Sequence, residues 1–164
     1  MNWAYFHIVI NHFPIVGVII GAALLLSGLV FKNQGISMSG LGTIVFAALT
    51  AILAFQTGRP AEDAVKGIPD IAEKLINRHE DMALIGMYLM IPAGLMAAMT
   101  LYSIWKKEKS VRFLSIITLV LSLISSGMMV YVGHTGGQIR HSEFRSDTST
   151  QFIIDNKNDK EDDD

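Results

Sequence analysis

The chain has no cysteine, four prolines and only 17% charged residues among its 164. Without cysteine it forms no disulfide, no thiolate metal centre, no iron–sulfur cluster and no thiol nucleophile. A soluble domain carries about 25% charged residues, so this chain has too little polar surface to coat a water-soluble fold. Basic charge is not in excess either. Thirteen Lys plus Arg against fifteen Asp plus Glu give a formal net charge of −2, which excludes the basic footprint of a nucleic-acid binder. No Gly-Lys-Ser/Thr follows a glycine-rich stretch and no His-Glu-x-x-His occurs. A P-loop and the zinc-protease helix are therefore both absent.

What is present is apolar. Hydrophobic residues make up 51% of the chain, and they gather in four runs near 13–31, 38–55, 82–105 and 113–132. Each holds about 18 to 24 residues, enough to cross a hydrocarbon core of about 30 Å at 1.5 Å per helical residue. The runs are apolar all round rather than striped. They predict an all-α, polytopic membrane protein: an antiparallel bundle of four transmembrane helices over residues 1–141. Small residues such as Gly40, Gly42, Ala47, Ala93 and Gly94 predict close helix approaches. Residues 142–164, ending in Asp162, Asp163 and Asp164, read as a disordered acidic tail.

The connections differ in length and charge. Lys32 to Ser37 and Lys106 to Arg112 are short, and short connections join antiparallel neighbours. The middle connection, Thr57 to Asp81, is longer. Gly58-Arg59-Pro60-Ala61-Glu62-Asp63 reads as a helix start. Ile68, Ile71, Leu75 and Ile76 then recur at near-helical spacing. Together they predict a short amphipathic helix at the membrane surface. The short connections carry Lys32, Lys106, Lys107, Lys109 and Arg112 with Glu108 as their one acid. By the positive-inside rule they face the cytoplasm, with both termini outside a cell (inner) membrane.

That topology gathers all five histidines, His7, His12, His79, His134 and His141, at the outer end. Ionisable groups at membrane depth are costly and tend to be functional. Neutral imidazole ligates haem iron, copper, zinc and non-haem iron. Bis-histidine haem b needs only one histidine from each of two helices. Arg59, Arg78 and Arg140 lie on the same side as partners for haem propionates. On one helix His7 and His12 are separated by about 140° of rotation, so they serve different partners. His12, His79 and His134 lead as ligands, by their expected depth, followed by His7 and His141. The methionines, Met87, Met90, Met128 and Met129 among them, read as packing.

Several segments carry a resemblance. His12-Phe13-Pro14-Ile15 opens the first helix and Thr57-Gly58 ends the second. His79 opens the third, and Gly133-His134-Thr135-Gly136-Gly137 closes the fourth. Over residues 5 to 141 the chain resembles a family of uncharacterised bacterial four-helix membrane proteins, catalogued as a domain of unknown function. More loosely, it is similar to membrane b-type cytochromes, although those hold their paired histidines deeper in the bundle.

The expected function is a membrane redox protein that holds haem b and passes electrons between the quinone pool and an extracytoplasmic partner. Two readings of other classes stand beside it. One is a cofactor-free assembly or anchor subunit of a membrane complex, or a homo-oligomer. The other is a non-haem metal protein for zinc, copper or non-haem iron, using the same histidines with Glu80 or Glu143.

Overall fold

A computed structural model describes residues 3–63 and 73–141. Five helices follow one another: α1 Trp3–Ile10, α2 His12–Val30, α3 Gln34–Asp63, α4 Glu73–Trp105 and α5 Val111–Arg140. Only Asn11 separates α1 from α2, so they form one membrane-length element, Trp3–Val30. With α3, α4 and α5 this makes four helices long and apolar enough to cross a membrane. The chain runs down, up, down, up. α2 packs on α3 and α5, and α4 packs on the same two, which closes a four-membered bundle. α1 leans on α3.

The surface of this bundle is greasier than its inside. Phe31, Trp105, Leu95 and Phe113 are each at least 66% exposed, whereas Thr100, Thr118, Ser122 and Ser125 are fully buried. In water that distribution would be unstable; in lipid it costs nothing, because hydrocarbon replaces water at the outer faces. Three of these four buried hydroxyls find partners inside, and Ser122 Oγ has none among the described residues. Thr100 Oγ1 and Thr118 Oγ1 each lie within reach of a carbonyl one turn back, at 2.8 and 2.9 Å, and one of the two can donate to the other instead. They also meet across α4 and α5 at 3.0 Å, and Ser125 donates to the Leu89 carbonyl at 3.1 Å. Such bonds tie helices together where apolar burial cannot.

Two apolar clusters fill the rest. One joins Val18, Ala48, Met90, Met129 and Val132, with Met87 and Met128 packed against it. The other joins Leu25, Leu41, Ile44, Ala97 and Ile104. The methionines thus serve as packing. Gly40 sits at a close α2–α3 crossing. A Cβ there would lie 2.5 Å from the Leu25 backbone nitrogen and 2.8 Å from the Gly21 carbonyl oxygen. Gly42 has nothing within 4 Å of its own would-be Cβ and faces outward.

The middle connection departs from the expected pattern. Gly58 to Asp63 does not start a new helix: α3 continues through Pro60 to Asp63. Proline there removes one helical bond, the one to the Gln56 carbonyl, without ending the helix. Leu75 and Ile76 lie inside α4, both buried. Ile68 and Ile71, at the centre of the expected surface helix, lie outside the described residues, as does the acidic tail.

Candidate functional site

Helical rise brings four polar side chains to one height. Counted from the short-turn end at about 1.5 Å per residue, His7 lies about 35 Å away along α2 and α1. His79 lies about 39 Å away along α4, Thr57 about 35 Å along α3, and Thr135 about 36 Å along α5. All four therefore sit just beyond a hydrocarbon core of about 30 Å.

They form two matching pairs. His7 Nδ1 lies 3.0 Å from Thr57 Oγ1, and Thr57 Oγ1 donates to the Ala54 carbonyl at 2.9 Å. His79 Nδ1 lies 3.1 Å from Thr135 Oγ1, and Thr135 Oγ1 donates to the Val132 carbonyl at 2.9 Å. Each hydroxyl has a single proton, already given to a carbonyl three residues back. Each imidazole also interacts with that same carbonyl, Ala54 for His7 and Val132 for His79. A carbonyl only accepts, so the ring nitrogen facing it carries the hydrogen. With the hydrogen on Nδ1, each ring would present its Nε2 lone pair away from the threonine. The two histidines are also close enough to act on one another electrostatically.

Glycine is required beside His79 and merely tolerated beside His7. A Cβ on Gly136 would lie 3.0 Å from His79 Cε1, and one on Gly58 would lie 3.9 Å from His7 Cε1. The His79 ring therefore rests against backbone that only glycine leaves open. The arrangement is the same in both halves of the chain. The first helix of each hairpin supplies a histidine near its outer end, and the second supplies Thr-Gly.

The other histidines face elsewhere. His12 is exposed, and its Nδ1 bonds the Ile8 carbonyl of its own segment. The cause is the rotation between His7 and His12: turning one inward turns the other out. His134 precedes Thr135 by one residue, about 100° round the helix, so it is exposed when Thr135 faces His79. Its Nε2 lies 3.2 Å from Gln138 Nε2. His141 is exposed where α5 ends. Arg140 is the last residue of α5, and its side chain lies outside the described residues. Arg78 Nη2 donates to the Tyr131 hydroxyl at 2.8 Å, and Arg59 pairs with Glu80 at 3.8 Å on the surface. Glu143 lies outside the described residues.

The structure thus sets His7 and His79 at similar height, each turned to a threonine of the next membrane-length helix, whereas His12, His134 and His141 are exposed. Among the described residues no three His, Asp or Glu side chains gather as a metal site. Sequence reasoning overlooked Thr57 and Thr135 as partners of the rings. The available signal was the Thr-Gly dipeptide, repeated near the outer ends of the second and fourth runs.

A family model described as "Predicted membrane protein (DUF2231)" matches residues 5–143. No curated protein and no solved structure matches the chain.

Proposed function

This chain belongs to the DUF2231 family of predicted membrane proteins, and on that premise we propose that it is a membrane redox protein binding haem b through His7 and His79. One observation carries the reading: two imidazoles at the same end of the bundle, each with Nδ1 within hydrogen-bond distance of a threonine hydroxyl, an arrangement that suits an Nε2 ligand. A histidine that ligates metal almost always donates its other N–H to an oxygen, which fixes the ring and makes it a better ligand. Two nitrogens are enough for iron that brings four porphyrin nitrogens with it. They are too few for tetrahedral zinc, which needs three or four protein ligands. That arithmetic favours haem over the zinc, copper and non-haem iron alternatives, and His7 with His79 over His12, His134 and His141.

The haem would supply one-electron chemistry at the outer end of the bundle, between the quinone pool and an extracytoplasmic acceptor. Thr57 and Thr135 would hold the ligand rings, and Gly136 would give the His79 ring room. The end with Lys32, Lys106, Lys107, Lys109 and Arg112 faces the cytoplasm.

The test is haem content of the purified full-length protein and its alanine variants. His7→Ala and His79→Ala each lose bound haem, while His12→Ala and His134→Ala retain it. Unchanged haem in both His7→Ala and His79→Ala would overturn the assignment. A wild-type protein that is stable, colourless and co-purifies with other subunits would instead favour the cofactor-free subunit.

A further inference from the structure

The opposite end of the bundle holds an open, surface-facing cavity with exposed cations at its rim, which the haem reading does not use. It opens between the α2–α3 turn and the α4–α5 turn, with a volume of about 380 Å³, within the range of small-ligand sites. Lys32, Lys109 and Arg112 line it, and among the described lining residues there is no carboxylate. Its inner wall includes Ile104 and two buried serines, Ser37 and Ser115. Both serine hydroxyls already donate to backbone carbonyls, at 3.2 and 2.8 Å. What the cavity has to offer a ligand is therefore mainly positive charge above an apolar floor.

A further fact points the same way. α5 starts at the rim of the cavity, and its N-cap residue Ser110 makes no side-chain cap bond to the helix. That hydroxyl donates to Glu108 instead, at 3.1 Å. The first-turn N–H groups of α5 keep their positive end toward the cavity. Lys32 itself holds φ 52, a left-handed conformation better suited to glycine. Lys107 in the α4–α5 turn, outside the cavity, holds φ 55 in the same way, so this conformation belongs to both tight turns.

The cavity also lies at the depth of a membrane surface. Beside it, Lys106 Nζ stacks 4.6 Å from the Trp105 ring and 5.6 Å from the Tyr102 ring. Aromatic and basic side chains pair in this way at headgroup level. Phosphate is the anion that bilayers present there. We propose that the cavity binds a phosphate group, held by Lys32, Lys109 and Arg112, from an anionic phospholipid headgroup or from free phosphate.

The test uses delipidated full-length protein and native mass spectrometry with phosphatidylglycerol, phosphatidylcholine and inorganic phosphate. The triple variant Lys32→Gly, Lys109→Gln, Arg112→Gln removes the charge. Lys32→Gly relieves the left-handed residue, so folding is not put at risk there. A control, Lys106→Gln with Lys107→Gln, removes neighbouring charge outside the cavity. Phosphatidylglycerol should bind the wild type about tenfold more tightly than the triple variant, with the control close to wild type. Displacement by inorganic phosphate assigns the site to free phosphate. Resistance to phosphate, with phosphatidylglycerol preferred over phosphatidylcholine, assigns it to a lipid headgroup. Equal binding by wild type and triple variant overturns the proposal. So does an equal loss in the control, which would reduce the effect to general surface charge.

Discussion

At the scale of single residues, the site depends on hydrogens rather than on charge. Thr57 and Thr135 each lie within reach of a carbonyl and of an imidazole Nδ1; a hydroxyl that gives its proton to the carbonyl accepts from Nδ1–H. Replacing either threonine with valine keeps the shape and removes the acceptor. Thr57→Val and Thr135→Val should each retain haem but bind it about 10- to 100-fold more weakly, measured by haem transfer to an apo-acceptor protein. Unaltered affinity in both would show that the threonines do not position the rings. Gly136→Val should do more harm than either, because a side chain there meets the His79 ring. Its expected signature is a haem spectrum altered or lost, while the far-ultraviolet circular dichroism stays helical.

At the scale of helices, packing is decided by small residues, and not all of them count. Gly40 meets the Leu25 and Gly21 backbones, whereas Gly42 meets nothing. Gly40→Val should lower stability by about 1–3 kcal/mol through overpacking, read as a fall in Tm in detergent. Gly42→Val should leave Tm near the wild-type value. Equal effects would contradict the α2–α3 crossing. Both glycines look alike in the sequence, since an apolar run reports that a helix crosses the membrane and not which way each face turns. The same limit explains the histidines. Their arrival at one end followed from the length of the runs. Which of them turned inward depended on a rotation that hydropathy does not encode. The break between His7 and His12 left two choices, and only the Thr-Gly partners on α3 and α5 distinguish them. Pro60 misled in the opposite direction. It reads as a first-turn proline, but lies inside α3 because one missing N–H near a helix end is tolerated.

At the scale of the whole molecule, the bundle has two unlike ends. One presents a cationic cavity between two tight turns, and the other presents paired histidines. The four-helix architecture was legible in the sequence because lipid demands long, evenly apolar segments. The Thr-Gly dipeptide recurs in the sequence, but that each one meets a histidine of the preceding membrane-length helix became visible only in three dimensions. Orientation is directly testable because the chain has no native cysteine. A single cysteine at Lys107 should resist a membrane-impermeant maleimide in intact cells, and one at Glu73 should react. The reverse pattern would place the histidine end in the cytoplasm.

The central claim is that His7 and His79 hold haem iron. Its most direct measurement is the absorption spectrum of the purified full-length protein from haem-replete cells, air-oxidised and then reduced with dithionite. The account predicts a Soret band that shifts on reduction, with sharp α and β bands of low-spin bis-histidine haem that vanish in His7→Ala and His79→Ala. A visible spectrum that stays flat through reduction would contradict it.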